Sequence, residues 1–147
     1  MNVTVSTDPT KLDVGLIHAF LSRSYWAEGR SFETVAAAIQ GSLCFGVYEG
    51  ERQDGEKQVG FARVVTDYAT FAYLADVFVV ETHRDKGLGK LLLNGVLRQP
   101  ELQGCSWALF TLDAHDLYAQ FGFVRPAEPE RLMRRKSVSA LPLNDVS

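Results

Sequence analysis

A short turn in the middle of the chain carries residue types that suit binding of an anionic ligand through the backbone. Gly87 and Gly89 lie within it, and glycine lets a main chain come close to a ligand. Leu88, Leu92 and Val96 recur with helical spacing, so a helix should begin here with its first amide hydrogens unpaired. Such amides bind phosphate groups. We therefore expect a site for an anion across Arg84, Asp85, Lys86, Gly87, Leu88, Gly89 and Lys90.

The spacing of the turn excludes a nucleoside-triphosphatase loop. Such a loop needs a glycine five residues before its Gly-Lys pair, and Ser or Thr directly after that pair. Arg84 and Leu91 occupy those positions, so the chain lacks both requirements. The remaining alternative to an anion site is an ordinary strand-to-helix turn with a solvated basic patch.

The flanking segments predict the elements that would position the turn. Val77, Phe78, Val79 and Val80 form an apolar run typical of a strand covered on both faces. The whole chain reads β-α-α-β-β-β-α-β-α-β, a mixed sheet with helices on its faces and hence an α/β (α+β) fold. Taken in that order, the first nine elements should span residues 3–6, 12–24, 31–41, 43–48, 59–63, 71–80, 88–99, 105–112 and 114–121. The last strand or hairpin should form from residues 123–125 and 131–136. Asp113 is the expected cap of the last helix.

Composition limits the class of protein further. The chain of 147 residues fits one domain, residues 1–147, with a core at about 3–136 and a loose tail at 137–147. A formal net charge of -3 argues against a nucleic-acid-binding surface, and the lack of an eighteen-residue apolar run argues against a membrane span. Two cysteines, Cys44 and Cys105, lie too far apart to indicate a metal site or a disulfide framework. The first twenty residues lack the order of a signal peptide, so we expect a cytoplasmic protein.

A second motif supports a specific resemblance. Residues 118–123 read Tyr-x-x-x-Gly-Phe, and the turn reads Arg-x-x-Gly-x-Gly from Arg84 to Gly89. Both motifs, in this element order, resemble the GNAT superfamily of acyl-CoA-dependent N-acetyltransferases, over about residues 3–136. The resemblance implies a central sheet whose strands splay apart and a cleft for acetyl-CoA (coenzyme A).

The resemblance also assigns roles to residues of that cleft. Main-chain groups of Val77 and Val79, with Phe78 between them, should pair with the pantetheine arm, while the amides of residues 84–90 should hold the pyrophosphate. Tyr118 should lie near the thioester sulfur, and residues 105–112 should form the far wall. Thr111 stands where many relatives have asparagine, and Asp85 stands where glycine is common, so the detailed cofactor contacts should differ here.

The implied reaction needs a base and an acid. A lysine-like amine is neutral in only about one molecule in a few thousand at pH 7, and only the neutral form attacks a thioester. Asp76 matches a position where relatives often carry a carboxylate, and Glu81 is the second candidate; a carboxylate satisfied by its neighbours is the alternative for Asp76. The amide of Val79 could stabilise the oxyanion, and Tyr118 could protonate the leaving thiolate, unless it is a core tyrosine. His83 and His115 receive no role.

The acceptor end is predicted only by layout. By analogy with the family, four aromatic residues and two charged ones lie near the acceptor mouth, although the aromatics could equally be core residues: Tyr25, Trp26, Phe71, Tyr73, Glu28 and Arg30.

Three functions compete. The first is direct transfer of acetyl from acetyl-CoA to a primary amine, either a small molecule or a protein amino group. The second is a non-catalytic acyl-CoA-binding or sensing module, and the third is a partner-binding scaffold. Neither a metal ion nor nucleic acid is expected as a partner, and a homodimer is possible.

Overall fold

A computed structural model describes residues 2–51 and 55–137. They form five strands and four α-helices. The strands are β1 (Val3–Ser6), β2 (Leu43–Glu49), β3 (Lys57–Thr66), β4 (Phe71–Val79) and β5 (Ser106–Leu109). The helices are α1 (Val14–Leu21), α2 (Phe32–Gln40), α3 (Leu88–Leu97) and α4 (His115–Ala119). Nearly all of the predicted loose tail, residues 138–147, lies outside the described residues.

The strands form one mixed sheet in the order β1-β2-β3-β4-β5. Neighbours are antiparallel except β4 and β5, which are parallel and are joined through α3. The first nine elements follow the predicted order, and the mixed α/β fold is confirmed. Within the described residues, no helix is long and apolar enough to cross a membrane.

The predicted last strand is wrong. Residues 123–137 contain no strand, only one short 3-10 turn at Pro129–Arg131. Two prolines, Pro126 and Pro129, lack the N–H that a sheet ladder requires. Val124 and Met133 are 86% and 92% exposed, so these apolar residues have no core to cover. The segment therefore gains neither hydrogen bonds nor burial from joining the sheet.

Helix capping explains several helix boundaries. Ser31, the residue at which the second helix was expected to start, caps α2 and accepts a hydrogen bond from the N–H of Thr34 at 3.1 Å. The prediction that Asp113 caps α4 is wrong. Ala114 lies directly before that helix, and its N–H donates to the hydroxyl of Thr111 at 3.0 Å. Thr111 and Asp113 are close in sequence and both can accept such a bond, so the sequence alone does not distinguish them.

Two hydrophobic clusters lie on the two sides of the sheet. One joins α3 to the sheet, with Leu92 and Val96 packed against Val47 and Val59. The other joins α1 and α2 to the sheet, with Ile17, Leu21 and Val35 packed around Phe61 and Phe78. Because α3 is fixed in the first cluster, its N-terminus is held at the end of β4.

A β-bulge divides β4 into two parts. Asp76 and Val77 stand opposite Ala62 alone, and Asp76 has a positive φ of 56°. Before the bulge, Leu74 belongs to the cluster around α3; after it, Phe78 belongs to the opposite cluster, and Val79 packs on the α3 side. The bulge thus changes which residues face each helix layer.

Candidate active site

The sheet opens between β4 and β5. Four residue pairs join these strands, the first being Phe71 with Ser106 and the last Leu74 with Leu109. Strand β4 continues beyond them to Val79. On that edge, residues 75–79 have no strand partner among the described residues. A cleft of about 1120 Å³ fills the opening. The expected splay of the central strands is therefore present, and it exposes backbone to the cleft.

The direction of the exposed backbone follows from one hydrogen bond. The N–H of Val80 donates to the carbonyl of Val59 in β3 at 2.9 Å. Because successive residues of a strand direct their backbone groups to opposite edges, the N–H and C=O of Val79 point toward the cleft. Consistent with this, the carbonyl of Val79 accepts a hydrogen bond from Nε of Arg84 at 3.4 Å. Val77 is two residues earlier and shares this direction.

The glycine turn leaves a run of amides without acceptors. The first helical bond of α3 runs from the N–H of Leu91 to the carbonyl of Gly87 at 3.1 Å, and no side chain caps the helix. The amides of residues 85–90 have no acceptor among the described residues. Gly87 has a φ of 78°, which favours glycine, and Asp85 has a φ of 64°.

The space above the turn is open. A Cβ atom built on Gly87 or Gly89 would meet no atom within 4 Å, and Gly89 lies on the cleft wall. Free amides, a helix N-terminus and open space beside Arg84 together suit a phosphate group. The residues present therefore fit the diphosphate of coenzyme A.

The predicted cofactor residues divide into two sets. Those on the cleft wall are Val77, Phe78, Val79, Arg84, Gly89, Thr111 and Tyr118. Those in the turn but off the wall are Asp85, Lys86, Gly87, Leu88 and Lys90. Leu88 is 4% exposed and belongs to the core, so it can offer only its backbone to a ligand.

Tyr118 lies half-buried on the wall opposite β4, with its ring against Phe123 at a centroid distance of 5.9 Å. Burial, reinforced by the nearby Tyr25 and Asp113, raises the pKa of Tyr118 to about 12. The phenol therefore keeps its proton throughout the physiological range. It makes no hydrogen bond to another described residue, so the proton is available to a ligand in the cleft.

Asp76 is the centre of a buried charge cluster. Its Oδ2 accepts hydrogen bonds from Nη1 of Arg30 at 3.0 Å and from Nε of Arg63 at 2.8 Å, and its Oδ1 accepts one from Nε1 of Trp26 at 2.9 Å. The Asp76 side chain is 2% exposed. Two interpretations of Asp76 were open, a catalytic base and a carboxylate whose hydrogen-bonding capacity is used by its neighbours. The geometry agrees with the second, because both oxygens already accept hydrogen bonds from protein donors.

Glu81 has a different environment. It is exposed on the cleft wall at the start of the 3-10 turn Glu81–His83, which follows β4. Its carboxylate has no hydrogen bond or ion pair with another described residue. Both oxygens of Glu81 are therefore available to a ligand in the cleft, whereas both oxygens of Asp76 already accept hydrogen bonds.

The predicted acceptor residues are only partly brought together. Tyr25, Trp26, Arg30 and Tyr73 lie on the cleft wall. Glu28 is exposed in the loop between α1 and α2, and Phe71 lies in the paired part of β4, so neither reaches the wall.

Sequence reasoning missed three arginines of the wall, Arg23, Arg63 and Arg134. Arg63 offered a signal, because it falls at an inward position of an alternating strand where a charged residue needs a partner. Arg23 and Arg134 lie outside regular elements and offered none.

A sheet opened beside a helix whose first amides are free, with a protonated phenol across the opening, is an α/β arrangement whose cleft suits a ligand that carries phosphate groups. Residues 40–125 match the family model described as an acetyltransferase (GNAT) domain. The chain belongs to the GNAT acetyltransferase family.

Individual relatives agree with this assignment. A proposed GNAT-family acetyltransferase from Xanthomonas campestris pv. campestris has a similar crystal structure, with a TM-score of 0.85 and 47% identity over 93% of this chain and 94% of that one. A proposed acetyltransferase of Gibberella zeae is 34% identical over 60% of this chain; the match spans only 59% of the fungal protein's length.

A more distant structure shares the fold. N-acetylglutamate synthase from Neisseria gonorrhoeae, complexed with coenzyme A and L-arginine, has a TM-score of 0.67 and 20% identity over 90% of this chain and 30% of its own.

Proposed function

We propose that this protein transfers the acetyl group of acetyl-CoA to a primary amine by direct attack in a ternary complex. The observation that carries the proposal is the cleft itself, in which Arg84 and Gly89 of the glycine turn, the free edge of β4 and the protonated Tyr118 face one space. Membership of the family supports it.

Acetyl-CoA would be held along β4 and the glycine turn. The amides of residues 85–90 and the open space at Gly89 suit the diphosphate, and the guanidinium of Arg84 adds positive charge beside them. The backbone groups of Val77 and Val79 suit the amides of the pantetheine arm. When bound, the cofactor supplies an activated acetyl thioester.

Glu81 is the base of this proposal. The amine must lose a proton before it attacks, and a carboxylate in the cleft can accept that proton directly or through water. Glu81 is chosen over Asp76 because its oxygens have no partners among the described residues, whereas Asp76 already receives three hydrogen bonds. Asp76 becomes a positioning residue for Trp26, Arg30 and Arg63.

Two further groups would stabilise the reacting atoms. The N–H of Val79 points into the cleft and can donate to the carbonyl oxygen as negative charge develops on it. The phenol of Tyr118 can donate its proton to the departing sulfur, because its raised pKa keeps it protonated. We also place the reaction in the cytoplasm, consistent with two free thiols at Cys44 and Cys105.

One experiment separates the competing functions. Acetyl-CoA binding is measured by calorimetry, and free thiol is followed while acetyl-CoA and the protein are incubated with a panel of primary amines. Binding with amine-dependent thiol release supports the transferase. Tight binding with no release on any amine would instead support an acyl-CoA-binding module, and no binding at all would support a scaffold.

A further inference from the structure

The cleft carries more positive than negative charge away from the glycine turn. Five arginines and three acidic residues line it: Arg23, Arg30, Arg63, Arg84, Arg134, Asp76, Glu81 and Asp113. Arg84 belongs to the turn, where a diphosphate would use its charge. Four arginines remain for the rest of the cleft, against three carboxylates.

The excess is concentrated around Asp76. This single carboxylate receives two guanidinium groups, those of Arg30 and Arg63, so the cluster keeps one net positive charge. The side chains of Arg30 and Arg63 are only 25% and 14% exposed. A net charge that is partly withdrawn from water interacts more strongly with a ligand than a fully solvated one does.

Both arginines also keep unused donors. A guanidinium has five N–H groups. Arg30 donates one hydrogen bond to Asp76. Arg63 donates from Nε to Asp76 and from Nη1 to the hydroxyl of Ser42 at 3.2 Å. The remaining donors have no partner among the described residues, and both residues line the cleft. Paired donors of this kind match the two oxygens of a carboxylate.

We propose that the acceptor is a small primary amine that also carries a carboxylate, and that Arg30 and Arg63 bind this carboxylate. This inference rests on the proposed acetyl transfer and names the substrate class for it. Asp76 orients the two guanidiniums, and the indole of Trp26 completes its hydrogen bonding. A polyamine would bring a second ammonium group toward a net positive cluster, so this class is disfavoured.

The first test measures binding without turnover. The protein is saturated with coenzyme A, and calorimetry compares the N-acetyl derivatives of β-alanine, phenylalanine and aspartate with the corresponding carboxamides. We expect at least one acid to bind about tenfold or more tightly than its amide, the size of effect expected for a charge-assisted pair. Equal affinity for acid and amide in every pair would overturn the inference.

Three variants test which residue produces the tighter binding of the acid than of its carboxamide. Arg30→Gln should remove most of the preference for the acid, and Arg30→Lys should restore part of it, because lysine keeps the charge but not the planar pair of donors. Arg98→Gln makes the same charge change on an exposed residue outside the cleft and should leave the preference intact. Unchanged coenzyme A binding shows that each variant is folded. Preference retained in Arg30→Gln would overturn the assignment to this residue.

The second test measures turnover by thiol release from acetyl-CoA with the free amino acids, their amides and propylamine. We expect a lower KM for the acids, and Arg30→Gln should raise KM for the acids alone. Faster release with uncharged amines or polyamines would overturn the inference while leaving acetyl transfer intact. Acid-selective binding with no thiol release on any amine would overturn acetyl transfer while supporting the carboxylate site.

Discussion

The hydroxyl of Tyr25 accepts a hydrogen bond from the backbone N–H of Leu112 at 3.2 Å, across 87 positions of sequence. Tyr25 lies in the loop between α1 and α2, and Leu112 lies in the loop between β5 and α4. Both residues line the cleft. This bond ties the loop that carries Trp26 and Arg30 to the wall that carries Tyr118, so the acceptor and thioester ends of the cleft are held together.

Tyr25→Phe should loosen this connection with little effect on the fold. A hydrogen bond of this kind contributes about 1 kcal/mol, so we expect KM for the amine to rise about fivefold while the affinity for acetyl-CoA stays constant. Steady-state kinetics and calorimetry check this. Tyr68→Phe is the matched control, because Tyr68 is half-exposed and lies outside the cleft wall. Equal KM values in both variants would contradict the prediction.

Gly89→Ala should make the protein more stable and less able to bind its cofactor. The new methyl group meets no protein atom within 4 Å, and alanine favours a helix over glycine by up to about 1 kcal/mol. The same methyl group occupies the space assigned to the diphosphate. We therefore expect a higher urea midpoint and a tenfold or greater loss of acetyl-CoA affinity, about 1.4 kcal/mol.

Asn94→Ala is the control for this change. Asn94 lies on the exposed face of α3, away from the cleft, and it should gain stability with unchanged cofactor binding. If Gly89→Ala bound acetyl-CoA as tightly as the native protein, the diphosphate would have to lie elsewhere.

Asp76→Asn should destabilise the protein strongly. The change removes a buried negative charge and leaves Arg30 and Arg63 without their shared partner, a situation that costs about 3 kcal/mol. Urea unfolding measures the loss. Glu128→Gln breaks an exposed pair with Arg131, whose side chain is 78% exposed, and should change stability by less than about 0.5 kcal/mol. Similar losses in both variants would show that the Asp76 cluster adds no special stability.

Tyr118→Phe should lower kcat by about a hundredfold with unchanged acetyl-CoA affinity, because it removes the proton donor but keeps the ring. The raised pKa also sets a pH dependence. With a pKa of about 12 in the folded protein, the phenol stays protonated well past its ordinary value of 10, and only deprotonation through about pH 12 removes the acid. An alkaline loss of activity below about pH 10 should therefore persist in Tyr118→Phe. Full turnover by this variant would remove the tyrosine from the mechanism.

The two cysteines should react at different rates. Burial raises the pKa of the Cys44 thiol to about 11, so only about one molecule in a thousand carries the reactive thiolate near pH 8. Cys105 is less buried than Cys44. Mass spectrometry after brief iodoacetamide treatment should find the label on Cys105, and Cys105→Ser should stay unlabelled. Early labelling of Cys44 would indicate local opening of α2 from the sheet.

The parts of the fold that depend on local rules could be predicted from the sequence. The start of the second helix at Ser31, the two strands at 43–48 and 59–63 and the glycine turn before α3 each follow from neighbouring residues, and each is present. The bulge at Asp76 and the bonds from Arg63 and Trp26 depend on residues far apart in the chain. The strand pattern signals that Arg63 needs a partner, but no local pattern identifies that partner as Asp76. The predicted last strand was wrong because residues 123–125 and 131–136 gain neither ladder hydrogen bonds nor burial within the described structure.

The bulge has one more consequence, for any attempt to shorten the chain. Deleting a single residue at position 76 or 77 would match β4 to Ala62 one to one and restore regular alternation along the strand. Phe78 would stay opposite Phe61 and keep its ring stacking on Phe20 at 4.0 Å, because the pairing on either side of the bulge would not change. The carboxylate shared by Arg30 and Arg63 would either be deleted or turn to the opposite face with Ala62. A protein shortened in this way would keep a continuous sheet and its core, yet two unbalanced cations would stand in the cavity.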